Sequence, residues 1–152
     1  MIADDQLFRR LRAMWEEADP VPAGLADRVL FALQLENLEY ELLRLRYTDE
    51  PVGARAGSTV ETVTFGSDHL TVMLMLPRAE DPNRRLDGWI APGAALRVEL
   101  RTDTGGRETV ATPDGRFAFS GAPSGLVQLV IHPTEGATVT LTRPVVTPAI
   151  QL

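Results

Sequence analysis

Hydrophobic residues recur at helical spacing along the first part of the chain and at strand spacing along the rest. Leu7, Phe8, Leu11, Met14 and Trp15 fall three and four apart, a single apolar stripe that predicts a helix from Asp4 to Ala18. Asp4 and Asp5 stand at its start, where carboxylates suit the positive end of the helix dipole. The run Asp19-Pro20-Val21-Pro22-Ala23-Gly24 ends it, because neither proline continues a helix and Gly24 is permissive. A second helix is predicted from Leu25 to Leu45. Phe31, Leu35, Leu38, Leu42 and Leu45 form one stripe, and Leu25, Val29 and Leu33 form a neighbouring one. This is more apolar surface than the short first helix covers, so the excess packs on the remaining domain, on another protein chain, or on a second copy of itself.

Beyond Leu45 the period changes. Thr48 to Ser58, with Asp49, Glu50, Pro51, Gly53 and Gly57, has no periodicity and reads as a linker. Thr59 to Phe65 alternates, Gly66-Ser67-Asp68 turns, and Leu70, Val72, Leu74 and Leu76 take one face of the next strand. Met73 and Met75 take the opposite face, which is expected to be covered. After a polar loop from Pro77 to Arg85, strands are predicted at Leu86–Ile90, Ala95–Arg101, Glu108–Thr112, Arg116–Phe119, Leu126–His132 and Thr138–Thr142. Val145 to Leu152, punctuated by Pro148, adds an edge strand. Within Ala95–Arg101, Leu96, Val98 and Leu100 face inward while Arg97, Glu99 and Arg101 face outward. Gly105-Gly106 and Asp114-Gly115 are hairpin signals. The fold class is therefore α+β, an N-terminal helical hairpin of two helices followed by an antiparallel β-sandwich of about seven to eight strands. It divides into a helical interaction segment (1–47), a linker (48–58) and the sandwich (59–152).

Composition narrows the function. At 152 residues the chain holds one standard domain or a small sandwich with a helical appendage. No apolar run reaches the roughly 18 residues that span a bilayer, and the first residues do not read as a signal peptide, so no membrane association is expected and the cytoplasm is the expected location. The absence of cysteine removes thiolate catalysis, disulfides and Cys-ligated zinc. All fifteen basic residues are Arg. Residues 1–50 carry six Arg against eleven Asp and Glu, a net charge of −5 out of −6 for the whole chain. Such a surface repels phosphate backbones, which argues against direct nucleic-acid binding, and it suits a basic protein partner.

Candidate chemistry is sparse. His69 and His132 lie in different strands with no Asp or Glu at metal-ligand spacing, so ordinary strand histidines are expected. Glu36, Glu39 and Glu41, and Glu16-Glu17-Asp19, read as solvated helix faces rather than acid/base pairs. Trp89, with Arg84 and Arg85 nearby, has the makings of a sugar-stacking platform, but a lone strand tryptophan is more often core. No enzyme activity, cofactor or metal is expected.

Two resemblances add to this reading. The stretch Leu86-Asp87-Gly88-Trp89-Ile90, Asp114-Gly115-Arg116-Phe117-Ala118-Phe119 and Gly121-Ala122-Pro123-Ser124-Gly125 resembles the carboxypeptidase regulatory-like (transthyretin-like) β-sandwich, with its Gly-containing first strand, D-G-x-F-x-F hairpin and G-x-P-x-G turn. That resemblance implies a binding or scaffolding domain. Asp19-Pro20-Val21-Pro22-Ala23-Gly24-Leu25-Ala26-Asp27-Arg28-Val29-Leu30-Phe31-Ala32-Leu33, after a helix with Leu-x-x-x-Trp, resembles actinobacterial anti-sigma-factor-like regulators encoded beside sigma factors. It lacks the His and Cys ligands of the zinc-type anti-sigma pattern. This second resemblance implies a non-enzymatic regulator whose helices clasp a sigma factor, with Phe8, Leu11, Trp15, Phe31, Leu35, Leu38 and Leu42 as partner-binding residues. The competing readings are a homo-oligomeric scaffold or ligand-recognition module, and a substrate of a regulatory protease cut in the linker.

Overall fold

Period-two alternation makes strands the predominant regular structure of the described residues. The computed structural model describes residues 2–33, 39–49, 61–78, 80–81 and 83–152. Among them are two helices, α1 (Ile2–Ala18) and α2 (Leu25–Leu33). Eleven strands follow: β1 (Glu41–Leu42), β2 (Arg44–Asp49), β3 (Thr62–Gly66), β4 (Thr71–Met75), β5 (Leu86–Ala91), β6 (Arg97–Thr102), β7 (Gly105–Val110), β8 (Arg116–Phe119), β9 (Leu126–His132), β10 (Val145–Val146) and β11 (Ile150–Gln151). One sheet has six strands in the order β1-β10-β9-β6-β7, with β11 also paired to β9, and the other has five in the order β2-β3-β4-β5-β8. All of these pairings are antiparallel except β1 with β10. The chain is thus α+β, with two helices and two antiparallel-rich sheets.

Both sheets contribute to one cluster of buried apolar side chains. Val63, Phe65, Val72, Leu74, Leu86, Ile90, Phe117 and Phe119 come from the five-stranded sheet, and Val98, Leu100, Val127, Leu129, Ile131, Val145 and Ile150 come from the six-stranded one. The inward set expected for β6 holds: Leu96, Val98 and Leu100 are fully buried while Arg97, Glu99 and Arg101 are not. The β3–β4 and β6–β7 hairpins also form where the sequence places them.

The long second helix does not. Among the described residues it runs from Leu25 to Leu33, and Glu41–Leu42, Arg44 and Leu45, expected in the same helix, lie in β1 and β2. Leu43, which lies off the expected helical stripe, is fully buried between these two strands as the chain passes from one sheet to the other. Pairing of these strands with β10 and β3 and the burial of Leu43 override the helical spacing of Leu42 and Leu45, both of which are exposed. The helical segment therefore does not extend to residue 47. Leu35, Leu38 and Glu36, and the expected linker from Glu50 to Ser58, lie outside the described residues, while Thr48 and Asp49 close β2. Thr138–Thr142 is not a strand, although Val139 and Leu141 pack against the core.

Asp114-Gly115 is a turn but not a hairpin between paired strands. Thr112 N–H donates to Arg116 O at 2.8 Å and Gly115 N–H to Thr112 O at 2.7 Å, closing a tight loop that carries the chain from β7 in one sheet to β8 in the other. Only Gly115 takes a positive φ, +85°, and a Cβ there would stand 2.1 Å from the Ile90 carbonyl oxygen. A second glycine is required by packing. Gly88 pairs with Phe117 across β5 and β8, and a Cβ on Gly88 would fall 2.1 Å from the Phe117 ring, which in turn packs edge-on against Phe119 at 6.1 Å.

The helices are not a packed hairpin. Along α1 from Asp5 onward every side chain is exposed save the half-buried Leu11. Helix α2 docks instead on the outer face of the six-stranded sheet through Phe31, whose ring lies 5.7 Å from the Arg101 guanidinium. Arg101 also donates to Gln128 Oε1 at 3.2 Å, and Gln128 Nε2 donates to Thr147 O at 2.9 Å. The chain of contacts beneath the helix is polar and satisfied.

Substituting Gly88→Ala is expected to lower stability by about 1–3 kcal/mol, from the clash with Phe117. Urea denaturation checks this, and in a Phe117→Leu background the added penalty should shrink, since the ring that a Cβ strikes has been removed.

Candidate functional site

Helix α1 presents Leu7, Phe8, Met14 and Trp15 to solvent, with Phe8 67% and Trp15 66% exposed. Their three- and four-residue spacing stacks them on one face, above the half-buried Leu11. The helix ends at Ala18, where Asp19 N–H donates to Trp15 O at 2.8 Å, and the Pro20–Pro22 break turns the chain so that Val21 joins Phe8, Leu11 and Trp15 around a shallow cleft. Arg12, Glu16 and Asp19 rim that cleft. An apolar floor with a charged rim is the usual anatomy of a surface that meets another macromolecule.

Of the expected partner-binding residues, the structure brings Phe8, Leu11 and Trp15 together on α1. Phe31 is 4% exposed and committed to the six-stranded sheet, so it is a docking residue of its own chain and not an anchor for another. Leu42 is exposed on the short edge strand β1, a separate place in the fold. Leu35 and Leu38 lie outside the described residues.

A second apolar surface lies where the sequence reading favoured covered residues. Met73 and Met75 on β4 are exposed rather than covered, and Trp89 on β5 is 47% exposed rather than core. Register places Met73, Trp89 and Arg116 in one cross-strand row and Met75, Asp87 and Ala118 in the next, on the outer face of the five-stranded sheet. The Trp89 indole N–H donates to Asp114 O at 2.7 Å, which fixes the ring, and Arg85 Nε donates to Asp87 Oδ1 at 2.8 Å beside it. These side chains line an open groove of about 510 Å³. The missed signal was Asp87: a carboxylate two positions from Trp89 on a strand shares its face, and that face cannot be core.

Both histidines acquire carboxylate partners through the fold. His69 Nδ1 lies 3.4 Å from Glu41 Oε1, linking the β3–β4 loop to β1. His132 Nε2 lies 2.8 Å from Glu99 Oε2, and Glu108 joins them so that one donor atom from each of the three falls within 4.8 Å of the others. No acidic residue stands at metal-ligand spacing in sequence, and for His132 register across β6, β7 and β9 places together what sequence spacing separates. The clefts described above contain neither histidine.

Comparison with protein-family models, with curated proteins and with solved structures finds no match to this chain.

Glu41 is held below the ordinary carboxylate range chiefly by a hydrogen bond from Ser67, against an opposing effect of burial that ranks next, with lesser help from the hydrogen bond and charge of His69 and from Arg143. Because its pKa is lower folded than unfolded, the stability these contacts supply is complete above the ordinary value of about 4.5 and is lost as pH falls through the depressed value. An NMR titration of the Glu41 side chain is expected to show a midpoint below 4.5 that rises in Ser67→Ala. An unchanged midpoint in that variant would contradict the assigned cause.

Proposed function

We propose that this protein is a non-catalytic regulator that binds another protein through the exposed face of α1, and that its partner is a sigma factor. The observation that carries the proposal is the pair of largely exposed aromatic rings, Phe8 and Trp15, on a helix that its own sheets leave uncovered. Buried aromatic anchors dominate binding energies at interfaces, and two of them on one face form the nucleus of such a contact. Charge supports the choice of partner. The acidic first fifty residues complement a basic surface, and sigma factors are basic where they meet polymerase and DNA. The resemblance of residues 19–33 to anti-sigma-factor-like regulators points the same way. In this reading the two sheets form a β-sandwich of the carboxypeptidase regulatory-like kind and serve as the scaffold from which α1 projects.

The pinned Trp89 favours a second reading in which the outer face of the five-stranded sheet recognises a ligand by stacking, a sugar ring being the expected class.

The test is fluorescence anisotropy with a labelled alternative sigma factor and the full chain, since residues 41–49 are strands of the sheets. Binding at low salt that weakens as salt is added is expected. Phe8→Ala and Trp15→Ala should each reduce affinity by about 2 kcal/mol, roughly thirtyfold, while leaving the thermal midpoint unchanged. Equal binding by wild type and the double variant would defeat the proposal, as would no complex at low salt. A response to soluble sugars that disappears in Trp89→Ala, in a Trp15→Phe background, would favour the second reading.

A further inference from the structure

We infer that Glu99, Glu108 and His132 form a site for a divalent transition-metal ion, zinc being the ion that their chemistry fits. The site is built by register. Glu99 in the middle of β6 has Glu108 of β7 as its cross-strand partner, and β9 on the other side places His132 opposite Arg97, the next residue of β6 on the same face. Three strands therefore each deliver one donor group to one spot on the outer face of the six-stranded sheet, and the donor atoms all lie within 4.8 Å of one another.

Two features mark the spot as more than a chance cluster. First, Glu99 and Glu108 are directly opposed like charges, an arrangement that costs a sheet stability and that Arg97 offsets on the Glu108 side. Second, the carboxylates and imidazole are already oriented. His132 Nε2 and Glu99 Oε2 approach to 2.8 Å with both side chains largely withdrawn from solvent, and Arg97 Nη1 donates to Glu108 Oε1 at 2.6 Å. A carboxylate held through one oxygen by an arginine keeps the other for a metal, which is how outer partners orient metal ligands.

Donor chemistry selects the ion. One imidazole nitrogen with two carboxylate oxygens suits zinc at bond lengths of about 2.0–2.2 Å, whereas calcium and magnesium take oxygen ligands in larger number. An ion there replaces the direct contact of His132 Nε2 with Glu99 Oε2, which must part by a fraction of an ångström to admit it. Glu108 is the most exposed of the three, so the site is reached from solvent on its side. A metal here ties the edge strand β7 to β6 and β9.

The experiment is calorimetric titration of tag-free full-length protein with zinc chloride, paired with thermal melting and with visible absorption on adding cobalt(II). One equivalent is expected to bind with Kd of about 10 µM or tighter, and the melting midpoint is expected to rise by a few degrees, roughly, at saturation. Glu108→Gln, at an exposed position that tolerates the change, and His132→Ala should each weaken binding about tenfold or more. His69→Ala, which removes the other histidine–carboxylate pair, should leave it unchanged. Zinc binding that persists undiminished in Glu108→Gln and His132→Ala, that disappears in His69→Ala, or that needs millimolar metal in the wild type overturns the assignment.

Discussion

The need to keep one face of each sheet dry is the constraint from which the other features of the molecule follow. Strand side chains alternate, so once Leu96, Val98 and Leu100 are committed to the core, Arg97, Glu99 and Arg101 have no choice but the outer face. The same rule sends Asp87 and Trp89 outward because Leu86 and Ile90 are buried, and it sends Met73 and Met75 outward because Val72 and Leu74 are. Gly88 shows how tightly the inner face is filled: the position between Leu86 and Ile90 carries no side chain because the Phe117 ring occupies that volume. Surface chemistry in this protein is what a closely packed interior leaves over.

That rule was legible in the sequence wherever alternation was uninterrupted, and it placed β4, β5, β6, β8 and β9 close to where they lie. It failed where pairing with distant strands overrode a helical spacing. From Phe31 to Leu45 apolar residues recur at helical spacing, yet the fully buried Leu43 lies off that stripe while Leu42 and Leu45 are exposed. Local spacing does not reveal that β10 offers an edge for β1 or that β3 offers one for β2, and those pairings decide the outcome. Asp114-Gly115 shows the same limit in a turn. The dipeptide correctly marks a reversal, but whether the flanking strands pair or part for different sheets depends on their distant partners. The cluster of Glu99, Glu108 and His132 was invisible for this reason: His132 is 33 residues from Glu99 and meets it only through the β6–β9 ladder.

Phe31 illustrates why a stripe cannot name its own partner. Its helical neighbours make it look like part of a continuous docking face, but the outer face of β6 presents Arg101, whose planar cation sits against the ring and is anchored in turn by Gln128. A surface arginine with a buried amide behind it is a ready seat for an aromatic side chain. Once Phe31 takes that seat, α2 belongs to the sheet, and α1 with Phe8 and Trp15 is left as an apolar surface that the described sheets do not cover.

The three outward residues of β6 divide that face into neighbouring territories. Arg101 receives α2, Glu99 faces Glu108 and His132, and Arg97 holds Glu108 from the far side. Opposed carboxylates require positive charge close by, and two sources are already in place, the Arg97 guanidinium and the imidazole of His132 when protonated. A bound divalent ion takes over the role of the second and leaves the first as the group that orients its ligand. A glutamate-to-glutamine change at position 108 removes the repulsion, the ion pair with Arg97 and a ligand together, and only the loss of the ligand makes its effect depend on zinc.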